Sequence, residues 1–165
     1  LRIVHKHFPL NAGCNPSREG LHVRDYEYAC RAAAAAEAAW RRGGVDAFAQ
    51  MRDLLFENQS LLPREPYEDF ASRLGLDVDE FNRLRTGPEV LRKIRGDACV
   101  GAGLGVRSTP AIFVDGRRLK NPVIQRGQTI LLDETLEHWR YILREISFGG
   151  ELQTGLAPRA PGHAT

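Results

Sequence analysis

The sequence is poor in several features that would mark a particular class of protein. Its 165 residues include one methionine, two tryptophans and three cysteines, and residue 1 is leucine. The cysteines lie far apart, which excludes a Cys-x-x-Cys motif within this chain. No apolar run approaches the length of a membrane span, and the formal net charge is only +2. We therefore expect no membrane span in this chain and no nucleic-acid partner.

The remaining composition is typical of one globular domain. Apolar residues make up 42% of the chain, alongside 16 glycines and 9 prolines, and this length can bury a substantial core. The chain enters an apolar stretch at once, with no methionine or leader before it. This start is typical of a segment cut from a longer protein, so the missing signal peptide does not decide the compartment.

One short stretch carries the clearest local pattern. Residues 111–114 are apolar and strand-favouring, Asp115 and Gly116 form a hairpin-turn pair, and residues 117–119 return from the turn. Pro110 stands at the first position of that strand after Thr109, where a cis peptide bond is favoured over a trans proline that simply marks a strand start.

Around this stretch the periodicity is mostly helical. Residues 1–10 predict a strand that ends at Pro9, and residues 149–165 predict a disordered tail. Helices are predicted at about 26–42, at about 46–58, from Pro66 to Gly75, from Asp77, from Pro88 and at 133–148.

The stretch Gly-Val-Arg-Ser-Thr-Pro-Ala-Ile-Phe-Val-Asp-Gly, residues 105–116, resembles the cis-proline loop of the DsbA-like thiol-disulfide oxidoreductases of the thioredoxin superfamily. Residues 5–10 resemble that family's second core strand, and residues 29–39 and 51–59 resemble its helical insert. The resemblance implies an α/β, thioredoxin-like fold over residues 1–148. Within it, a multi-helix insertion would occupy about 25–104, and the N-terminal strand and Cys-x-x-Cys helix would be missing.

The resemblance also implies a function. The chain would be part of a periplasmic or extracytoplasmic thiol-disulfide oxidoreductase that needs no cofactor. Arg107, Ser108, Thr109 and Pro110 would hold an extended client polypeptide. No catalytic cysteine can be assigned, so we expect this chain alone to be inactive. The expected partners are client proteins with thiols or disulfides, and a membrane redox protein. The alternatives are a redox-inactive peptide-binding module and a glutathione-dependent transferase or isomerase.

The cysteines and the first two histidines leave further alternatives open. Cys14 precedes a helix that carries Cys30, and the two could form a structural disulfide, form a second redox pair, or stay free. Cys99 is interpreted as a semi-buried thiol. His5 and His7 share one face of the predicted strand, and we interpret them as partly buried polar residues, with no metal site.

Overall fold

The computed structural model describes residues 3–20, 26–114, 116–119, 123–125 and 128–130. The chain divides into two compact units, Leu1–Arg107 and Ser108–Thr165. The predicted helix at 133–148, the predicted tail and residue Asp115 of the predicted turn lie outside the described residues.

The first unit is helical. An extended segment, residues 3–9, leads through a turn into a 3-10 helix at Pro16–Arg18. Four α-helices follow: α1 at Ala29–Glu57, α2 at Tyr67–Arg73, α3 at Val78–Arg85 and α4 at Pro88–Gly103, with a second 3-10 helix at Gln59–Arg64 between α1 and α2. Among the described helices, none combines the length and the apolar character needed to cross a bilayer.

Helix α1 continues through the point where two separate helices were predicted. Only Gly44 departs from helical geometry, with φ 68° and ψ −155°, so the helix bends there. A positive φ costs glycine little because it has no Cβ atom. The predicted break between residues 42 and 46 is therefore present, but as a kink at Gly44 and not as a loop.

The starts of the later helices follow the predicted signals. The Asp77 side chain accepts a hydrogen bond from the backbone N–H of Glu80 at 2.8 Å, which caps α3. Pro88 occupies the first turn of α4, where its missing N–H costs nothing. The predicted starts of these two helices are confirmed.

The core of this unit lies between α1, α2 and α3. Ala35, Ala38 and Ala39 are fully buried, and their small side chains let α1 pack closely against its neighbours. Three large side chains that are less than 2% exposed belong to the same core: Met51 of α1, Tyr67 of α2 and Phe81 of α3. Burying a side chain such as Phe81 stabilises the fold by about 1.5–3 kcal/mol.

The second unit contains two short antiparallel ribbons. Strand β1, Ile112–Val114, pairs with β2, Arg117–Leu119, in the register Phe113 to Arg118. The predicted strand and return strand are thereby confirmed. Strand β3, Val123–Gln125, pairs with β4, Gln128–Ile130.

The predicted α/β, thioredoxin-like fold class is wrong. The described residues are mostly helical, and their strands form only two ribbons of three-residue strands. Residues 3–9, predicted as a core strand, have no strand assignment. A strand is held by backbone hydrogen bonds to a neighbouring strand, whereas here the backbone N–H of His7 donates to the side chain of Asp97 on a helix.

Candidate functional site

A cluster of buried ionisable side chains lies where the extended segment, α1 and α4 meet. Its central members are His7 of the segment, Glu37 of α1 and Asp97 of α4, which are 6%, 4% and 4% exposed. Acidic residues are rarely buried to this extent unless they are paired. We call these three residues and their cationic partners, Lys6, Arg41 and Lys93, the buried ionic cluster.

Asp97 binds both the extended segment and its own helix. Its Oδ1 accepts a hydrogen bond from Nζ of Lys6 at 3.0 Å, and its Oδ2 accepts one from the backbone N–H of His7 at 3.2 Å. Lys93, one turn earlier in α4, also donates to Oδ2. Burial raises the pKa of Asp97, but the bonds from Lys93, Lys6 and His7 outweigh this, and the net pKa lies below its ordinary value.

Glu37 holds the same segment from the side of α1. Its Oε2 lies 3.4 Å from Nε2 of His7, and its Oε1 accepts a hydrogen bond from Nε of Arg41 at 3.0 Å. Burial raises the pKa of Glu37, and the hydrogen bonds with His7 and Arg41 lower it further than burial raises it. The carboxylate is therefore kept ionised inside the unit.

The ring of His5 extends the contact between the segment and α1. It lies 4.7 Å from the ring of Phe48 and 5.2 Å from the ring of His7, measured between centroids. The loss of hydration on packing lowers the pKa of His5 below its ordinary value of 6.5, and the nearby His7 and Arg52 lower it further. The imidazole of His5 therefore resists protonation.

The chemistry of the buried ionic cluster favours anchoring over ligand binding. All four carboxylate oxygens of Glu37 and Asp97 already have partners within the protein. A metal cation would have to displace His7, Lys6, Lys93 or Arg41 to reach them. In the part of the chain that the structure describes, no group of three or more metal-ligating side chains is found. The cluster fixes the extended segment in the groove between α1 and α4.

Cys14 and Cys30 form a disulfide bond in the structure. Cys14 is 1% exposed and packs with Val90 and Ile94 of α4. The disulfide therefore joins the loop before α1 to the start of α1, and it lies beside α4. The neighbouring Asn15 is fully buried and donates to the carbonyl of Pro9 at 2.7 Å. Cys99 is free and exposed, and the prediction of a semi-buried thiol is wrong.

The predicted client-binding residues are all exposed. The peptide bond between Thr109 and Pro110 is cis. Arg107 accepts, through its carbonyl, a hydrogen bond from the guanidinium of Arg18 within the first unit. Ser108, Thr109 and Pro110 begin the second unit. Nothing in the structure tests a binding role for these four residues, which stays a prediction.

Sequence reasoning missed Glu37 and Asp97. Glu37 interrupts an alanine run at a position that shares the inward face of α1 with Ala33, and a charge on such a face is a signal of a buried ionic contact. Asp97 stands between the buried Ile94 and Ala98. Their shared partner His7 could not be found from periodicity, because it lies 30 residues from Glu37 and 90 residues from Asp97 in the sequence.

Relatives of this chain carry one shared name. The chain is 33% identical to the Na(+)/H(+) antiporter NhaA of Herminiimonas arsenicoxydans over 112 residues, which are 68% of this chain and 18% of the relative. It is 33% identical to NhaA 1 of Mycobacterium sp. strain KMS over 74% of this chain and 18% of the relative. It is 37% identical to NhaA 1 of Salinispora arenicola over 72% of this chain and 16% of the relative.

The chain therefore spans less than a fifth of the length of the curated relatives that it matches. No family model matches the sequence. No solved structure matches it either.

These relatives overturn several predictions. Similar proteins are named as antiporters, and not as DsbA-like oxidoreductases, so the family recognition is wrong. The predicted oxidoreductase function and both of its alternatives are wrong for the same reason. A periplasmic location is contradicted as well, because an antiporter acts across a membrane. The predicted partners are not tested and stay predictions.

Proposed function

We propose that this chain is one segment of an Na+/H+ antiporter polypeptide. The observation that carries the proposal is the 33% identity to the Herminiimonas arsenicoxydans antiporter over 112 residues. Because the match occupies only 18% of that relative, ion exchange is proposed for the whole polypeptide and not for these 165 residues alone.

The first unit is proposed to face water within that polypeptide. Arg52, Asp53 and Glu57 are exposed on α1, and Arg92 and Arg95 are exposed on α4. Moving each such charge into the hydrocarbon of a bilayer would cost several kcal/mol. The buried ionic cluster has all its carboxylate oxygens occupied, which supports a structural role outside the ion path.

Transport by the complete polypeptide tests the first part of this proposal. It would be produced in a bacterial host that lacks its own Na+/H+ antiporters, and everted membrane vesicles would be loaded with acridine orange under an imposed pH gradient. Addition of Na+ should dissipate the gradient, and an equal addition of choline should not. If the protein is present in the membranes and Na+ has no more effect than choline, the antiporter proposal is wrong.

Two charge-neutralising variants test whether this segment lies outside the ion path. Glu37→Gln and Asp97→Asn each remove the negative charge of a buried carboxylate and keep a side chain of nearly the same shape. The apparent affinity for Na+ should stay unchanged in vesicles with equal amounts of protein, because neither group meets the ion. A shift of the Na+ dependence in these variants would place the buried ionic cluster in the ion path and would contradict the proposed role.

A further inference from the structure

The disulfide between Cys14 and Cys30 spans the contact between α1 and α4. Cys30 lies in the first turn of α1, which begins at Ala29. Cys14 is 1% exposed and packs against Val90 and Ile94 of α4. The S–S bond therefore joins α1 covalently to a loop residue that is embedded against α4.

The noncovalent packing around this bond is weak on the side of α1. The apolar cluster that contains Cys14 has three members from α1, all with small side chains: Cys30, Ala33 and Ala34. Apolar stabilisation scales with the area removed from water, and an alanine side chain contributes little area. At this end of α1, the association with α4 therefore depends strongly on the disulfide.

The buried ionic cluster provides a second attachment between the same two helices. The ring of His7 lies 3.4 Å from Glu37 of α1, and the backbone N–H of His7 donates to Asp97 of α4. His7 and Cys14 belong to one continuous stretch of chain that precedes α1. Because both attachments hold the same stretch between α1 and α4, loss of one leaves the contact dependent on the other.

The two cysteines differ in their access to a thiol in solution. Cys14 is buried, whereas Cys30 is partly exposed. Thiol-disulfide exchange begins when a thiolate attacks one sulfur atom of the disulfide, and access helps to decide which one. The first turn of a long helix also favours negative charge, so a departing thiolate is stabilised at Cys30. Both features favour attack at Cys30.

We propose that the Cys14–Cys30 disulfide is a redox-sensitive cross-link that an external dithiol opens in the folded protein, loosening α1 from α4. In the first step, a thiolate of the dithiol bonds to Sγ of Cys30, and Sγ of Cys14 leaves with the electron pair of the S–S bond. In the second, the other thiol attacks the dithiol's own sulfur, and Cys30 leaves as a thiolate. The dithiol becomes a disulfide, and its two electrons and two protons end on the two cysteines.

The surroundings can accommodate both reduced cysteines. Oδ1 of Asn11 lies 3.4 Å from Sγ of Cys30 and can accept a hydrogen bond from the new thiol. Cys14 can stay in contact with α4, because a buried protonated thiol behaves as a small apolar side chain. The buried ionic cluster still holds the extended segment. Reduction therefore yields a folded chain with a weakened contact between α1 and α4.

Trapping the mixed disulfide tests where and when the bond is attacked. The 165-residue chain with Cys99→Ser, which removes the free and exposed thiol, would be treated with 2-mercaptoethanol without denaturant and quenched with N-ethylmaleimide. Peptide mass spectrometry should find mercaptoethanol on Cys30 and maleimide on Cys14. Mercaptoethanol mainly on Cys14, or no reduction until denaturant unfolds the chain, would overturn the proposal.

Hydrogen exchange tests what reduction does to the fold. After dithiothreitol treatment of the Cys99→Ser chain, amides of residues 30–34 and 90–94 should exchange about tenfold faster or more, and those of α3 at the earlier rate. Adding Cys14→Ala and Cys30→Ala should abolish the response to dithiothreitol. Unchanged exchange, or equal acceleration throughout the first unit, would mean that the bond is not a local cross-link of this kind, and the proposal would be wrong.

Combining reduction with Asp97→Asn tests whether the two attachments act on one contact. Reduction should accelerate exchange at residues 90–94 more in Asp97→Asn than in the parent chain, and the exposed control Asp53→Asn should behave as the parent does. Equal acceleration in all three chains would separate the disulfide from the buried ionic cluster and contradict the assignment. No step measures transport, so failure here leaves the antiporter proposal standing.

Discussion

The backbone N–H of His7 donates a hydrogen bond to Oδ2 of Asp97 at 3.2 Å, across 90 positions in the sequence. Strands usually satisfy such donors by pairing, but here a helical side chain replaces the neighbouring strand. The same carboxylate binds Lys6 at 3.0 Å. Asp97 is therefore the residue that secures the extended segment on α4.

Asp97→Asn should loosen the extended segment. The amide can replace only part of the charge-assisted bonding to Lys6, Lys93 and the His7 N–H, so we expect the free energy of unfolding to fall by about 1–3 kcal/mol. Denaturant unfolding measures the loss, and hydrogen exchange at the His7 amide should accelerate. Asp53→Asn is the matched control, because Asp53 is exposed and pairs with the adjacent Arg52 at 2.7 Å. Equal loss in the two variants would contradict the anchoring role.

The pH dependence of stability should follow the buried carboxylates. Glu37 and Asp97 both have pKa values below their ordinary values, so the unfolded chain takes up their protons first as the pH falls. Their stabilisation is present above roughly pH 5 and is lost as the pH falls through about 4 and below. Thermal unfolding across this range measures the effect. The slope should be shallower in Asp97→Asn, and an unchanged slope would remove Asp97 from the explanation.

Removing the disulfide should destabilise the first unit. Cys14 and Cys30 are separated by 16 positions, and closing a loop of that size stabilises a fold by about 3 kcal/mol in the chain-entropy model. The double variant Cys14→Ala and Cys30→Ala should lose about that amount, measured by denaturant unfolding. Cys99→Ser should change stability little because Cys99 is free and exposed. A reductant should lower the midpoint of the wild-type chain and leave the double variant unaffected.

Two glycines of α4 should respond to alanine with opposite signs. A Cβ atom at Gly101 would lie 2.6 Å from a ring carbon of Phe8, whereas one at Gly96 would meet nothing within 4 Å. Gly101→Ala should cost about 1–3 kcal/mol as the ring is displaced, and Gly96→Ala should stabilise the helix by about 0.5–1 kcal/mol. Denaturant unfolding of both variants is the measurement. Stabilisation by both substitutions would show that Phe8 does not pack against α4.

The sequence determined the helices well because their signals are local. The Asp77 cap, Pro88 in a first turn and the interruption at Gly44 all depend on residues within one turn of each feature. The strand and the return strand on either side of Gly116 were likewise readable from neighbouring residues. Family and function were not readable from the same loop, because a pattern of a dozen residues describes a local backbone and not the activity of a polypeptide of which the chain covers under a fifth.

Only the tertiary structure decided what the extended segment does. The alternation of residue types in residues 3–9 predicts a strand, and this prediction does not depend on which elements the segment packs against. The distant partners Glu37 and Asp97 make it an anchored segment without a paired strand. Local periodicity indicates which side chains share a face, but it cannot indicate a contact with a carboxylate 90 positions away. That carboxylate accepts the hydrogen bond that a neighbouring strand would otherwise have accepted.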